Sequence, residues 1–190
     1  KSDFMKRIFD FVLSFNLLII LMLPILLIFV FTRGTSNGPA IFWSDRIGKD
    51  NKLFKMPKFR TMYVNTPNVA THLLENSEKY ITPFGFFLRR YSLDELPQIW
   101  TIFIGKMSFV GPRPALYNQY DLIDLRAKKG VNKILPGLTG LAQINGRDNL
   151  SIKEKVKMDY EYLKQRSLYL DMKIIFKTFL TTIKKTDISH

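Results

Sequence analysis

The segment 11-FVLSFNLLIILMLPILLIFVF-31 runs for 21 residues without a charge. As a straight helix it would be roughly 30 Å long, the thickness of a bilayer core, so it reads as membrane-embedded. It is too long for the apolar region of a cleaved signal peptide, usually about 7 to 15 residues, and no small-residue cleavage site follows it. Pro24 lies deep in the run. It lacks an amide hydrogen and clashes with the carbonyl four residues earlier, so a kink is expected near Ile20 to Leu23. Ser14 and Asn16 add polarity on the N-terminal side. Lys1, Lys6 and Arg7 precede the run, and Arg33 and a strongly basic stretch follow it. The preference of basic residues for the cytoplasmic side pulls both ends to one face. A spanning helix frustrates one end, whereas a helix-break-helix hairpin that dips into one leaflet and returns satisfies both. The re-entrant form over residues 1–33 is the expectation, with a kinked spanning helix as the alternative. Asp10, at the membrane edge, is either a simple interfacial residue or a partner of Lys6 or Arg7 at helical spacing.

The 190-residue chain, 46% hydrophobic, can bury one real core. It has no cysteine and two histidines, His72 and His190. That excludes a disulfide framework, a thiolate zinc site, a cysteine nucleophile, a histidine metal cluster and a Ser-His-Asp triad. The lack of cysteine fits a reducing cytoplasm. A formal net charge of +13 and a pI near 9.9 call for acidic partners: nucleic acid, anionic lipid headgroups or phosphorylated small molecules.

Residues 34–190 are expected to form a cytoplasmic domain, set off by the turn cluster "GTSNGP" (34 to 39). "AIFWSDRIG" and "NKLFKMPKFRTM" read as two strands of a hairpin joined by "GKDN". Residues 64 to 80 are polar, contain Pro67 and read as a mobile loop with a short helical turn. In "PFGFFLRRYSLDELPQIWTIFIGK" Phe84, Phe87, Leu88 and Tyr91 fall at helical intervals. In "YLDMKIIFKTFLTTIKK" (169 to 185) Met172, Ile175, Phe176, Phe179 and Ile183 share one helical face, with Lys173, Lys177 and Lys184 elsewhere. Such a helix either packs into the core or lies in the membrane interface. The fold class is therefore α+β, mostly helical: a re-entrant hairpin, a small domain with a short β-hairpin, and interfacial amphipathic helices.

Within that frame Asp94 stands beside Glu95 in "SLDELPQIW" (92 to 100), in a chain short of carboxylates. A second helix is expected to begin around Ser92 or Asp94, since Ser and Asp cap helices and Pro97 is tolerated in a first turn. There the backbone amides and the dipole would keep both carboxylates ionised. Pure capping and dipole complementation is the bland alternative. "MSFVGPRPALYNQY" (107 to 120) holds Arg113 between Pro112 and Pro114, a rigid turn that can aim a guanidinium at a phosphate. "ILPGLTGLAQINGRDNLS" (134 to 151) is too glycine-rich for a single helix and matches neither a Walker A loop nor a dinucleotide fingerprint. It reads as a pocket loop. Lys55, Lys58 and Arg60 form a basic stripe on the hairpin, with Lys58 and Arg60 on one face by strand alternation.

These stretches together carry a resemblance. "KRIFDF" before the apolar segment, "DRIGKDNKLFKMPKFRTM", "RRYSLDELPQIW", "MSFVGPRP", "PGLTGLAQINGR" and "YLDMKIIFKT" cover nearly the whole chain. Their types and order resemble the bacterial sugar transferases of the monotopic phosphoglycosyl transferase family, in the form of their small catalytic unit. The resemblance implies transfer of a phosphosugar from a UDP-sugar to a polyprenol phosphate such as undecaprenyl phosphate, with release of UMP and dependence on Mg2+. It implies Asp94 as the nucleophile that forms an aspartyl-phosphosugar and Glu95 as its partner in organising the metal. Arg113 is then assigned to phosphate or nucleotide binding, Lys58, Arg60 and Arg89 to electrostatic support, and Gln143 and Arg147 to the pocket. The implied location is the cytoplasmic face of a bacterial inner membrane, against an anionic lipid bilayer, in the first membrane step of glycan assembly; a homo-oligomer is left open. Through "PALYNQYDLIDLRAKKGV" the chain is more similar to members acting on UDP-linked N-acetylated deoxyamino sugars than to hexose-phosphate transferases.

The chain departs from the family pattern at three places. Leu23 replaces the Ser common before the hairpin proline, Lys106 the Asp of a common Gly-Asp-Met-Ser, and Thr101 a common Asn. Two other classes remain for comparison. A membrane-tethered nucleic-acid binder would explain the charge, but no RNA or DNA module is present, so nucleic acid is not the expected partner. A non-catalytic scaffold of the same fold is the other, since fold does not fix function.

Overall fold

In the computed structural model, which describes residues 2–66, 77–146 and 149–184, the apolar run forms two helices, α1 (Ser2–Ile20) and α2 (Met22–Thr35), bent by 61°. The proline accounts for the place of the bend. Pro24 has no N–H for the Ile20 carbonyl, and the ladder resumes where the Ile25 amide donates to Leu21 O at 2.8 Å. Ser14 and Asn16 satisfy their polar groups on α1's own carbonyls, Phe11 O and Val12 O. No single helix among the described residues is long and apolar enough to cross a membrane; the bent pair has the length and composition of a broken or re-entrant segment.

The other elements are β1 (Ile41–Ile47), β2 (Leu53–Phe59), α3 (Pro83–Arg90), α4 (Gln98–Phe103), β3 (Ser108–Val110), β4 (Ala115–Leu116), α5 (Tyr120–Lys128), β5 (Gly137–Thr139), α6 (Leu141–Ile144), α7 (Ile152–Gln165) and α8 (Leu168–Lys184). The chain is mostly helical α+β, as expected. β1 and β2 form the expected antiparallel hairpin with Ser44 opposite Met56, and β4 adds to the other edge of β1. The hairpin closes where Asp50 and Asn51 take φ of 55° and 59°, a left-handed region that short polar side chains tolerate. β3 and β5 pair in parallel as a separate two-stranded sheet. A 3-10 turn over Ser77–Tyr80 supplies the helical turn expected in 64 to 80; residues 67–76 of that stretch lie outside the described residues.

The core gathers Phe54 and Met56 from β2, Ile102 from α4, Met107, Phe109 and Val110 around β3, Tyr162 from α7 and Ile174 from α8, with Phe9, Leu13 and Leu17 of α1 packed against it. Each such side chain contributes about 1.5 to 3 kcal/mol on burial. One face of α1 therefore belongs to the domain as much as to any membrane. Its polar residues are committed to the same contact. Arg7 donates to Ile102 O at 2.7 Å and Phe103 O at 2.6 Å, capping the C-terminus of α4. Lys6 bonds Asp171 at 2.5 Å, and Tyr162 donates to the same carboxylate at 2.7 Å. Asp10 is buried and accepts the Phe109 amide at 3.1 Å. It is thus a docking residue for β3 rather than an interfacial one, and Lys6 takes Asp171 as its hydrogen-bonded partner.

α8 divides the face drawn from its sequence. Asp171, Ile174 and Thr178 turn inward, with the Thr178 hydroxyl 2.6 Å from that of Thr139 in β5. Ile175 packs against the core, while Met172, Phe176 and Phe179 stay exposed. The helix anchors in the core and still presents an apolar strip; the Ile183 side chain lies outside the described residues.

Candidate active site

Three segments far apart in sequence meet at Glu95. Lys58, near the end of β2, donates to its Oε1 at 2.8 Å, and Arg113 donates to the same oxygen at 2.9 Å. Contrary to the helix start expected around Ser92 or Asp94, Asp94 and Glu95 occupy a 3-10 turn, Leu93–Glu95, and α4 begins only at Gln98. The turn follows α3, which Thr82 caps by accepting the Gly85 amide at 3.0 Å. Two residues past the end of α3, Ser92 takes φ 55°, a conformation that an L side chain adopts at some cost and that turns the acidic pair toward β2. Cations, not a helix dipole, hold the charge of Glu95.

The two carboxyls are driven apart electrostatically. Burial alone would raise both. For Glu95 the Arg113 and Lys58 cations outweigh burial and hold its carboxyl well below the usual range. For Asp94 burial prevails: Lys58, Arg89 and Arg113 pull its pKa down, Glu95 pushes it up, and the net shift is upward. No described residue donates a hydrogen bond to Asp94. One carboxylate is locked by two cations, and its neighbour accepts no hydrogen bond from a described residue.

The Arg113 turn is fixed carbonyl by carbonyl. Pro112 O accepts the Gly137 amide at 2.9 Å, Arg113 O accepts Arg126 at 2.8 Å, and Pro114 O accepts Arg46 at 3.1 Å. Arg126 is held in turn by two bonds, at 2.9 and 2.7 Å, to the buried Asp159. A turn whose prolines donate nothing and whose carbonyls are all engaged can hold a guanidinium in one place. Arg46 was not singled out from sequence. It lies against Arg113 and Glu95, and burial, then Arg113, push its guanidinium down to about 10 against the pull of Glu95. The available signal was strand parity: Phe42 pairs with Lys58 and Ser44 with Met56, so Arg46 shares the face of Lys58.

The other sequence-derived residues divide. Arg89 donates to the Thr61 hydroxyl at 2.9 Å and feels the charge of Asp94, so it borders the pair. Arg60 does not join them, and the shared face expected with Lys58 fails because Arg60 lies past the end of β2. Its guanidinium is spent on the connector after α2, donating to Ser36 O at 2.8 Å and to Asn37 O. Gln143 sits behind the Arg113 turn, its carboxamide beside Gly140, which abuts Gly111; neither polar atom has a described partner. Arg147 lies outside the described residues. For a divalent cation, Asp94 and the second oxygen of Glu95 carry no bond from a described residue. No group of three or more acidic or histidine ligands occurs among the described residues. Two carboxylates fit Mg2+, which commonly binds one or two of them and completes its shell with water and substrate phosphate.

The family model described as bacterial sugar transferase matches residues 1–185. The chain belongs to the bacterial sugar transferase family. It is 36% identical over 203 residues to a UDP-galactose-lipid carrier transferase of Erwinia amylovora, covering 97% of this chain and 42% of that protein. It is 42% identical over 185 residues to a UDP-glucose:undecaprenyl-phosphate glucose-1-phosphate transferase of Escherichia coli, covering 92% and 39%. The exopolysaccharide production protein ExoY of Rhizobium meliloti is 37% identical over 190 residues, covering 91% and 83%. The sugar transferase chain thus spans about two-fifths of the first two relatives and most of the third.

Proposed function

We propose that the chain is the catalytic unit of a phosphoglycosyl transferase that moves a phosphosugar from a UDP-sugar to a polyprenol phosphate through a covalent intermediate on Asp94. The carrying observation is the pairing of an Asp94 that accepts no hydrogen bond from any described residue with a Glu95 clamped by Lys58 and Arg113. Two anionic substrates must approach a carboxylate, so fixed cations have to offset the repulsion. Arg113, Arg46 and Lys58 supply them. An Asp94 oxygen attacks the sugar-bearing phosphorus, the bond to the uridylyl phosphate oxygen breaks, and UMP leaves with that electron pair. An oxygen of the polyprenol phosphate then attacks the same phosphorus, and the acyl-phosphate bond returns its pair to Asp94. Mg2+, held by Asp94 and Glu95 with the substrate phosphates, would neutralise phosphate charge when bound. Splitting the transfer lets the soluble nucleotide depart before the lipid reacts, which gives ping-pong kinetics.

The membrane reading belongs to the same proposal. Around the bend Ile20, Met22 and Leu23 are 69, 68 and 62% exposed, an apolar tip with no protein cover. A re-entrant hairpin would bury that tip in one leaflet and keep Lys6, Arg33 and the domain on the cytoplasmic face of a bacterial inner membrane. As to donor, the middle of the chain points to an N-acetylated deoxyamino sugar, whereas the names of the relatives speak of glucose and galactose. UMP release from a panel holding both kinds of UDP-sugar, with Mg2+ and with or without undecaprenyl phosphate, tests the reading. One donor should give lipid-dependent turnover that Asp94→Asn abolishes. Release undiminished in that variant would overturn the assignment.

A further inference from the structure

Both tryptophans of the chain line one open groove, of about 480 Å3, away from the acidic pair. Trp43 and Lys55 come from one face of the β-hairpin, diagonal neighbours across the strands, and Trp100, Thr101, Ile104 and Lys106 from the end of α4 and the turn after it. Strand alternation puts Lys55 on the face opposite Lys58, so the groove is distinct from the site at Glu95. Trp43 and Trp100 are each about half exposed, 50 and 49%. Lys106 has no ion pair among the described residues, and Lys55 has one exposed partner, Asp45, at 3.4 Å. The lining is therefore net cationic over an apolar floor.

The groove is continuous with the face of α1. The Trp100 ring lies 5.7 Å from that of Phe103, which stacks on Phe11 at 5.1 Å and on Phe15 at 6.3 Å. Indole rings beside ammonium groups at the end of an apolar face are the chemistry of the bilayer headgroup layer. We infer that this groove binds the phosphodiester headgroup of an anionic bilayer lipid, the lysines meeting the phosphate and the indoles the glycerol and upper acyl chain. The inference rests on the membrane reading above but not on the identity of the reaction. It gives Lys106 a role of its own in this chain: a carboxylate there would repel the same headgroup.

With both tryptophans in the groove, intrinsic fluorescence reports on it directly. The full chain is reconstituted into vesicles of phosphatidylcholine and phosphatidylglycerol at equal total composition, with bromine on the acyl chains of one lipid or the other. Brominated phosphatidylglycerol should quench more strongly, corresponding to roughly thirtyfold enrichment of the anionic lipid at the groove, the order expected of two lysines at a surface. In the Lys55→Gln, Lys106→Gln double variant the excess should vanish while quenching common to both lipids and basal UMP release persist. Equal quenching in the wild type, or an excess that survives the double variant, overturns the site and leaves the membrane reading standing. Absence of quenching by either lipid overturns both. Loss of the excess on adding one equivalent of undecaprenyl phosphate would assign the groove to the acceptor substrate and also overturn the inference.

Discussion

Asp94 and Glu95 share one turn and one set of cations, yet their carboxyls move in opposite directions. On the proposed mechanism Asp94 attacks as the carboxylate, so the acid limb of kcat/KM for UMP release should lie above the ordinary aspartate range. Glu95→Gln removes a like charge and should move that limb to lower pH. Lys58→Met removes a cation and should move it higher, with a lower plateau; shifts in one common direction would contradict the assignment. The stability signs also oppose. The stability gained at Glu95 is present above the ordinary glutamate range and is lost as pH falls through its depressed value, whereas ionising the raised Asp94 works against folding. Asp94→Asn should therefore abolish activity yet raise the unfolding temperature, by about 2 to 4 °C per kcal/mol for a chain of this size. A lowered melting temperature in that variant would show Asp94 to be structural. The acidic pair and Arg113 were legible in the sequence because they stand out chemically. Their mutual arrangement was not: what fixes it is the Ser92 turn and cations brought from β2 and the Arg113 turn, contacts with no sequence period.

Among elements, the join between α1 and the domain carries the next expectations. Arg7 caps α4 with charge-assisted bonds, so Arg7→Gln should cost about 1.5 to 3 kcal/mol in thermal or denaturant unfolding in detergent. A change of only a few tenths would place that helix end's stability elsewhere. Asp159→Asn breaks a buried pair with Arg126 that holds the carbonyl of Arg113. It should cost about 3 to 5 kcal/mol and lower kcat/KM for the UDP-sugar. Wild-type values on both counts would separate the pair from the site. The β-hairpin and the break at Pro24 could be read from alternation, turn residues and one missing amide. The places of Arg60 and Asp10 could not: Arg60 read as part of a basic stripe and Asp10 as interfacial or a partner of Lys6 or Arg7, yet each is engaged by backbone groups remote along the chain, Arg60 with the connector after α2 and Asp10 with β3. The amphipathic α8 was read as one face because periodicity marks apolar positions without saying which of them the core takes.

For the whole molecule the proposal joins a re-entrant hairpin to a cationic site on one side of a bilayer. The absence of cysteine makes the topology directly measurable. Single substitutions Phe4→Cys on α1 and Tyr120→Cys on the domain, both at exposed positions, should be labelled by an impermeant maleimide from the same side of inverted membrane vesicles. Labelling from opposite sides would establish a spanning helix. The central claim is the covalent step. It is tested most directly by intact-protein mass measurement after mixing the purified chain with its UDP-sugar and Mg2+ in the absence of polyprenol phosphate. A mass gain of one phosphosugar, located on Asp94, matched by one equivalent of UMP and discharged when the lipid phosphate is added, is the predicted result. UMP release that requires both substrates together, with no mass gain on an enzyme that turns over, would contradict it.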